Sequence, residues 1–523
     1  MHAARDHQCS HRRDAGPSGA VSPSPLLRRW FVTNAMLAGL LSLAWLLLRS
    51  GPRPSRLAYP CQRAALSTAM LAFGAPLIGL VVAARRHLAA GLRSPLGVAA
   101  TALVVVLGLA AAGYLVGVDA ADAPLLVPPR EYRAQLYHAT GCPQDPVGDH
   151  FPGLDGLLQL MGAQGLKIYR SATVTPLSGP DGIVGVDDVV LLKINYQWPE
   201  RGGTNTDLLR GLIRVLVDHP DGFTGEVVVC ENTQFAGAAD FDRPLNNAQD
   251  PGLSPRDVVD YFSALGHQVS TTDWTVLRFT AVSEYSQGDM ADGYVVYPND
   301  PQLGGRISYP KFETANGSYV SLRDGIWDPA TGYDRERLTV INLPVLKSHH
   351  ATYGATACVK HYMGVVSREL NTNSHNAIGY GLLGAVMGET RPPDLNILDA
   401  VWVSANPNTG PQNPYGNATR RDELVAGVDP VAIDIWSVTN ILIPAFLDNG
   451  FSPPWPHPEA TPDDPTSDFR VYLDHSMSEL LEAGYDATND LAAIDVVTVD
   501  LSLAVFSDGF ESGDTAAWSS AVP

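Results

Sequence analysis

The stretch VDDVVLLKINY, residues 186–196, decides the fold class. Its apolar residues follow one another without alternation, which is typical of a strand buried on both faces of a sheet. The next stretch, NTDLLRGLIRVLVDHP (205–220), has apolar residues at helical spacing and ends in a proline. A buried strand that leads into an amphipathic helix predicts a parallel sheet covered by helices.

The same alternation of strands and helices continues along the chain. Further strands are predicted at GEVVVCENT (225–233), RLTVINLPVL (337–346) and DLNILDAVWVSA (394–405), and helices at SPRDVVDYFSALG (254–266) and DPVAIDIWSVTNILI (429–443). In the first of these helices, Ser254 is the predicted cap and Pro255 the first helical residue. The pattern predicts an α/β domain with a mainly parallel sheet and helices on both faces.

The N-terminal part has the composition of a membrane anchor. Three apolar stretches without a charge, 31–48, 64–84 and 97–118, have 18, 21 and 22 residues. A helix of about 20 residues crosses the hydrocarbon core of a bilayer, so we expect three transmembrane helices and the lipid bilayer as a partner. The arginine distribution favours a cytoplasmic N-terminus and a large extracytoplasmic, periplasmic domain. Arg28 and Arg29 also resemble a twin-arginine export signal, which is the alternative for the first helix.

The predicted organisation has five parts. They are a cytoplasmic segment (1–30), three transmembrane helices (31–118), a linker (119–150), an outer α/β domain (151–500) with a β-rich or loop-rich insertion at about 268–336, and a tail (501–523). The first 118 residues carry twelve Arg and two acids, whereas the rest carries 23 basic and 53 acidic residues. An acidic outer domain argues against a nucleic-acid partner.

Three cysteines, Cys142, Cys230 and Cys358, follow the predicted membrane helices. Their odd number allows one disulfide with one free thiol. The sequence has no C-x-x-C, so we expect no iron–sulfur cluster.

Polar side chains appear where the predicted apolar strands end. They are Lys193 and Asn195, Glu231 and Asn232, Lys347 to His350, Asp399 and Asn406, and then Asp429 and Asp434 around the start of a helix. Ligands of doubly wound sheets bind beyond the carboxyl ends of the strands, so this edge is the predicted site. Structural roles are the alternative: Asp429 before Pro430 is a good helix cap, and Asp434 would pair with an arginine.

The segment 342–366, NLPVLKSHHATYGATACVKHYMGVV, supplies the most candidate ligands. Lys347 and Lys360 flank small residues that expose backbone N–H groups, which fits anion binding. His349, His350 and His361 add candidates for acid–base chemistry or metal binding. The chain has no G-x-G-x-x-G after the first strand and no P-loop, G-x-S-x-G or H-E-x-x-H motif.

Six short stretches carry a family resemblance. LLKINY, the segment 342–366, SHNAIGYGLL, PDLNILDAVW, GPQNPYG and LVAGVDPVAID occur in the order typical of the domain-of-unknown-function 362 family, over about residues 185–445. The chain is similar to that family at these positions, which implies a fold and a site but no reaction. Many relatives carry a ferredoxin-like cluster module, which this sequence lacks.

The resemblance also implies which residues form the site. The family's motif residues are matched by Lys193, Asn195, Lys347, His349, Lys360, Gly364, His375, Asp399, Asp429 and Asp434. His361 departs from the pattern, because Asn commonly follows the second lysine.

Three functions remain open from the sequence. The first is an enzyme that acts on a small anionic substrate. In this hypothesis the substrate is bound by Lys193, Asn195, Lys347 and Lys360. The catalytic residues are His349, Asp399 and Asp434. The candidate cofactor is a divalent metal, held by His349, His375 and Asp429. The second is an anion- or metal-binding module without turnover. The third is a structural or sensory membrane protein with a degenerate domain.

Overall fold

A ten-stranded sheet organises the part of the chain that the computed structural model describes. The described residues are 132–143, 145–234, 240–249, 251–349, 353–408, 414–453 and 461–503. The predicted cytoplasmic segment, the three transmembrane helices and the twin-arginine motif lie outside these ranges, as does almost all of the predicted tail. They therefore remain predictions.

The strands and helices are numbered here in chain order. The strands are β1 (Ala134–Thr140), β2 (Tyr169–Arg170), β3 (Ser178–Gly179), β4 (Val189–Lys193), β5 (Glu226–Glu231), β6 (Val269–Asp273), β7 (Ala281–Val282), β8 (Gly293–Val296), β9 (Ser308–Glu313), β10 (Tyr319–Ser321), β11 (Gly325–Asp328), β12 (Gly332–Asp334), β13 (Leu338–Asn342), β14 (Val345–Ser348), β15 (Ala355–Thr356), β16 (Leu395–Ser404), β17 (Ala418–Gly427) and β18 (Ile494–Asp500). The α-helices are α1 (Pro152–Ala163), α2 (Thr206–Val217), α3 (Pro255–Ala264), α4 (Trp274–Leu277), α5 (Cys358–His361), α6 (Ser374–Ala377), α7 (Leu382–Glu389), α8 (Pro430–Ser437), α9 (Ile443–Asp448) and α10 (Asp468–Glu482).

The main sheet is mixed. Its strand order is β18-β1-β17-β16-β13-β4-β5-β6, with β14 beside β16 and β15 beside β14. The half from β16 to β6 is parallel, but β17 is antiparallel to both β16 and β1. The connection from β16 to β17 spans 13 residues and its described part contains no crossover helix, and such a short connection returns the chain antiparallel. The α/β class is confirmed, and the parallel arrangement holds for one half of the sheet.

Helices cover both faces of this sheet. In β4, Val190 and Leu192 pack with α1, α2 and α3, whereas Val189 and Leu191 belong to a second cluster with α7, α8 and α10. Successive strand residues point to opposite faces, so one strand contributes to both cores. Each fully buried aliphatic side chain adds about 1.5–3 kcal/mol to stability, which explains the continuous apolar run in this strand.

The predicted strand 337–346 is divided in two at Pro344. This residue has no N–H to donate, so the ladder is interrupted there. Up to Asn342, β13 lies between β4 and β16; after the break, β14 pairs with β16 further along that strand. Because β14 pairs further along β16, Lys347 lies beyond the end of β4.

A second sheet lies within the segment predicted as an insertion. Its six strands, β7 to β12, form the order β12-β11-β10-β9-β8-β7. The side chains of Thr314 and Asn316 donate to the two carboxylate oxygens of Glu226 in β5, each at 2.9 Å. β6, at the start of the same segment, belongs to the main sheet.

The main sheet extends beyond the predicted bounds of the outer domain. β1 lies inside the segment 119–150, which composition alone presents as a linker, and β18 pairs with it in parallel. Within the described residues, Cys142, Cys230 and Cys358 are buried and free, so the disulfide that their number allowed is not formed.

One helical stretch in the described ranges, Pro430–Asp448, is long and apolar enough to cross a membrane, and two-thirds (67%) of its apolar window is buried inside the domain. It is a core helix of the α/β domain, in which Val431, Ile433 and Ile435 pack into the hydrophobic cluster.

Candidate functional site

A cavity of about 70 Å³ opens at the carboxyl ends of β4, β5 and β14. Lys193 ends β4, Glu231 ends β5, Lys347 lies in β14, and Lys360 and His361 come from α5. A single water needs about 10–15 Å³ in this measure, so the cavity has room for several waters or one compact polar ligand. It lies at the edge where the rule for parallel sheets places a ligand.

The structure brings most of the predicted site together. The lining includes Lys193, Asn195, Lys347, His349, Lys360 and His375. Asp399, Asp429 and Asp434 are not part of the lining. Sequence reasoning missed Gln234 and Trp198, and it placed Glu231 at this edge of the sheet without assigning it a chemical role.

Lys193 and Glu231 form a buried ion pair. The ammonium nitrogen of Lys193 donates to Glu231 Oε1 at 2.9 Å and to the carbonyl oxygen of Ile194 at 2.7 Å. The backbone N–H groups of Tyr196 and Asn232 donate to the same carboxylate at 2.7 and 2.8 Å. Burial raises the pKa of Glu231, whereas the Lys193 ammonium and these N–H donors oppose that shift.

His361 continues this network on the other side of Lys193. Its Nε2 lies 3.1 Å from Lys193 Nζ, and its Nδ1 lies 2.6 Å from Oδ1 of Asn342. Asn342 in turn donates through Nδ2 to the Oδ1 of Asn396 and to the Cys358 carbonyl. Because Asn342 Oδ1 is an acceptor, His361 carries its proton on Nδ1 and accepts from Lys193 at Nε2. Burial and the Lys193 ammonium hold the pKa of His361 well below its usual value, so the ring is neutral.

Lys347 lies next to this ion pair. Its ammonium nitrogen donates to the backbone carbonyl oxygen of Gly202 at 2.5 Å. Within the described ranges it makes no ion pair. Burial lowers the pKa of Lys347 to about 7; the Lys193 ammonium adds to the shift, and Glu231 and Asp399 oppose it.

Lys360 and His375 form the far side of the cavity. The Lys360 ammonium nitrogen lies 5.2 Å from the ring centroid of Tyr353, within the range of a cation–π contact. Burial, with a contribution from Lys347, lowers the pKa of Lys360 well below its usual value. Burial lowers the pKa of His375 to about 4, and the Lys360 charge adds to this effect.

His349 is oriented by a neighbouring strand. Its Nδ1 lies 2.8 Å from the hydroxyl oxygen of Thr356 in β15, and both residues line the cavity. The adjacent His350 lies outside the described residues.

The lining is rich in positive charge. It contains the lysines 193, 347 and 360 but one carboxylate, that of Glu231. Two lining amides also have unused acceptors: among the described residues, Asn232 Oδ1 and Gln234 Oε1 are buried without a hydrogen-bond partner. A buried acceptor without a partner costs about 1–3 kcal/mol, so a bound molecule with a donor would be favoured here.

Asp434 has a structural position. Its carboxylate accepts the backbone N–H groups of Cys358 at 2.6 Å and Val359 at 3.1 Å. It thereby caps the start of α5, the helix that carries Lys360 and His361. Burial raises the pKa of Asp434 to about 8.

Asp399 and Asp429 are likewise engaged outside the cavity. Asp399 accepts from Asn247 Nδ2 at 2.8 Å, and burial raises its pKa to about 6. Asp429 caps α8 through the N–H groups of Val431 and Ala432, which is the structural alternative that the sequence offered. Burial raises the pKa of Asp429 to about 6 as well.

The predicted metal ligands are not assembled. His349 and His375 line the cavity, whereas Asp429 is bound to the start of α8. In the part of the chain that the structure describes, no group of three or more His, Cys, Asp or Glu side chains could hold a metal ion. These residues therefore do not fit the predicted metal site.

Comparison with known protein families supports the family resemblance for part of the chain. Residues 335–439 match the model of a family described as Domain of unknown function (DUF362). The matched segment runs from just before β13 to just after α8, and contains Lys347, His349, Lys360 and His375. Neither a curated protein nor a solved structure matches the chain.

Proposed function

We propose that the α/β domain is an enzyme that binds a small anionic substrate in the cavity at the carboxyl ends of β4, β5 and β14. The observation that carries this proposal is the enclosure of three lysine side chains with a single glutamate. Phosphate and carboxylate groups are the ordinary partners of lysine ammonium groups.

The energetics of burial support an anionic ligand. Removing an ammonium group from water costs several kcal/mol unless an opposite charge replaces the lost hydration. Glu231 compensates Lys193, whereas burial lowers the pKa values of Lys347 and Lys360 and so disfavours their charged forms. An anion next to these two lysines would favour their protonated forms.

The alternative is a module that binds the anion without turnover. Asp399 and Asp434, the predicted acid–base partners of His349, are held by other groups and do not line the cavity. This observation favours the binding module. The lysines and His349 favour an enzyme, because amines and an imidazole can each transfer a proton near neutral pH.

The test is isothermal titration calorimetry of the purified full-length chain in detergent with inorganic phosphate, sulfate and pyruvate. We expect at least one anion to bind. Lys347→Met and Lys360→Met should each weaken that binding by about ten- to hundredfold, the usual contribution of a hydrogen bond to a charged group. Lys167→Arg is the matched control, because Lys167 lies outside the cavity. The proposal fails if none of the anions binds, or if the two cavity variants bind as the wild type does.

We also propose that this domain is held at the outer face of a membrane by three helices in residues 31–118. Their uncharged apolar composition and the arginine distribution support this arrangement. Alkaline phosphatase fused after residue 130 should be active, and fused after residue 90 it should be inactive. Equal activity of the two fusions, or release of the chain from membranes by alkaline carbonate, would contradict the arrangement.

A further inference from the structure

We infer that Lys347 is a nucleophile that forms an imine with the carbonyl carbon of a small 2-oxo acid. This inference rests on the proposed function, because the carboxylate of the 2-oxo acid is the anion that the cavity binds. It adds a covalent step and a substrate class to that function.

The use of lysine in this chain supports a chemical role. Of 35 Lys and Arg residues, five are lysines, at positions 167, 193, 311, 347 and 360. Three of the five line one cavity of about 70 Å³. A guanidinium stays protonated in proteins, whereas an amine can lose its proton and react. Most positive charges of this chain are arginines, but the cavity is lined by lysines. The cavity therefore contains amines, which can react, instead of guanidinium groups, which cannot.

The contacts distinguish Lys347 from the other two lysines. Lys193 is held as a cation by the carboxylate of Glu231 at 2.9 Å, and Lys360 faces the ring of Tyr353. Lys347 instead donates to the neutral carbonyl oxygen of Gly202. That bond fixes the position of the nitrogen and is equally available to a neutral amine, which keeps its lone pair for a carbonyl carbon.

Burial acts in the same direction. It lowers the pKa of Lys347 to about 7, with help from the Lys193 ammonium and against the opposing charges of Glu231 and Asp399, so a large fraction of the amine is neutral at neutral pH. A lysine next to another cation in a desolvated site is a known way to obtain a reactive amine.

The rest of the cavity fits the other atoms of the substrate. Lys193 provides positive charge for the carboxylate, and the carboxylate in turn favours the protonated form of Lys360, whose pKa burial lowers. The carbonyl carbon of a 2-oxo acid is bonded directly to that carboxylate carbon. Such a ligand is compact enough for the cavity. The unpartnered oxygens of Asn232 and Gln234 are acceptors for the hydroxyl group that forms on the substrate and for the water that leaves.

The step balances without an oxidant or a reductant. The neutral amine of Lys347 adds to the carbonyl carbon, and a proton moves from nitrogen to oxygen to give a carbinolamine. Uptake of one proton and loss of the hydroxyl group as water leave a protonated C=N bond to Lys347. Borohydride, added as a reagent, delivers hydride to that carbon and makes the bond permanent as a secondary amine.

The test is reductive trapping on the full-length chain. The protein is incubated with pyruvate or glyoxylate and then with sodium borohydride, and its peptides are mapped by mass spectrometry. We expect one reduced adduct, on Lys347, that excess phosphate suppresses. Lys347→Met should give no adduct, whereas Lys167→Arg should be labelled as the wild type is.

Two results would overturn the inference. One is that wild-type protein binds phosphate in calorimetry but forms no adduct. This result would support anion binding and exclude the covalent step. The other is an adduct on Lys360, Lys193 or Lys167 in place of Lys347. Failure of phosphate, sulfate and pyruvate alike to bind would instead contradict the proposed function itself. Mapping on the wild type does not depend on the folding of any variant.

Discussion

At Gly364 the backbone passes directly against the Lys193–Glu231 pair. A Cβ atom at this position would lie 2.5 Å from Lys193 Nζ and 2.6 Å from Glu231 Oε1. A real Cβ atom does not approach a non-bonded atom this closely, so one of the two charged groups would have to move. The glycine is therefore required by the ion pair and the cavity wall together.

Replacing Gly364 by alanine should separate Lys193 from Glu231. We expect a loss of about 1–3 kcal/mol in the free energy of unfolding, because buried polar groups lose partners, and weaker anion binding. Chemical denaturation and calorimetry measure the two effects. Gly416→Ala is the control, since no atom lies within 4 Å of a Cβ there. Equal effects of the two substitutions would show that the close approach at Gly364 is unimportant.

The depressed pKa of Lys347 gives the anion affinity a pH dependence. Its value of about 7 means that the amine is already charged below pH 7 and must take up a proton to bind an anion above pH 7. Sulfate affinity should therefore be highest below pH 7 and fall by up to about tenfold per pH unit above it. Sulfate is chosen because it does not titrate in this range. Calorimetry from pH 6 to 9 should show a shallower decline for Lys347→Met, and a flat wild-type profile would contradict the prediction.

At the residue scale, the sequence predicted which side chains lie close together when those side chains stand at the end of a strand. Lys193, Lys347 and His349 could be placed together because the carboxyl ends of neighbouring parallel strands share one edge. Asp434 could not be assigned in this way. Its partners are the N–H groups of Cys358 and Val359, which are distant in sequence, and its presence on a helix says nothing about them.

At the level of elements, the site depends on a single helical turn. α5 has four residues, too few to be stable alone, yet it carries both Lys360 and His361. The carboxylate of Asp434 on α8 accepts its first two N–H groups and so connects α5 to a long core helix. The position of the two cavity residues therefore depends on α8.

Asp434→Asn should loosen this turn. The pKa of Asp434 is about 8, so the effect is expected at higher pH, where the wild-type side chain is a carboxylate. There the amide can accept one of the two N–H groups and presents its own NH₂ to the other, so we expect a loss of about 1–3 kcal/mol in stability together with weaker anion binding. Asp490→Asn is the control, because Asp490 caps an exposed turn at Ala492. The two variants are compared by thermal unfolding and calorimetry. If Asp434→Asn lowered stability without changing affinity, α5 would be shown to hold its position by other contacts.

The fold was predictable from the sequence where a strand is buried along its whole length or a helix begins at a complete cap. The apolar runs of β4 and β5 identify strands buried on both faces, and Ser254 marks the start of α3 through a complete capping box. The antiparallel course of β17 was not predictable in this way. Its first six residues, from Ala418 to Glu423, are partly exposed or exposed and all but Ala418 are polar, so hydrophobicity gives them no strand signal.

At the scale of the whole molecule, the second sheet supports the cavity. The hydroxyl group of Tyr294 in β8 accepts from Nδ2 of Asn232 at 2.9 Å, and the same nitrogen donates to the carbonyl oxygen of Val366. These two bonds set the orientation of the amide, and thus of the oxygen that lacks a partner. The insertion is in this way connected to the ligand site as well as to the core.

Tyr294→Phe should therefore affect anion binding as well as stability. Loss of one hydrogen bond of about 1 kcal/mol allows Asn232 to turn, and we expect roughly fivefold weaker binding of the best anion. Tyr333→Phe is the matched control, because its hydroxyl group bonds to Glu284 within the same region of the chain and away from the lining. An equal change of affinity in both variants would contradict a specific contribution of Tyr294.

The scarcity of lysine has a practical consequence for anyone handling this protein. Lys193, Lys311, Lys347 and Lys360 are at most 5% exposed, and Lys167 is the lysine of intermediate exposure. Among the described lysines, reagents that attack surface amines, such as the esters used for fluorescent labelling and for attachment to sensor chips, will react first with Lys167. Immobilisation through lysine would thus hold the α/β domain in few orientations. Slow modification of the four buried lysines would report directly on opening of the interior.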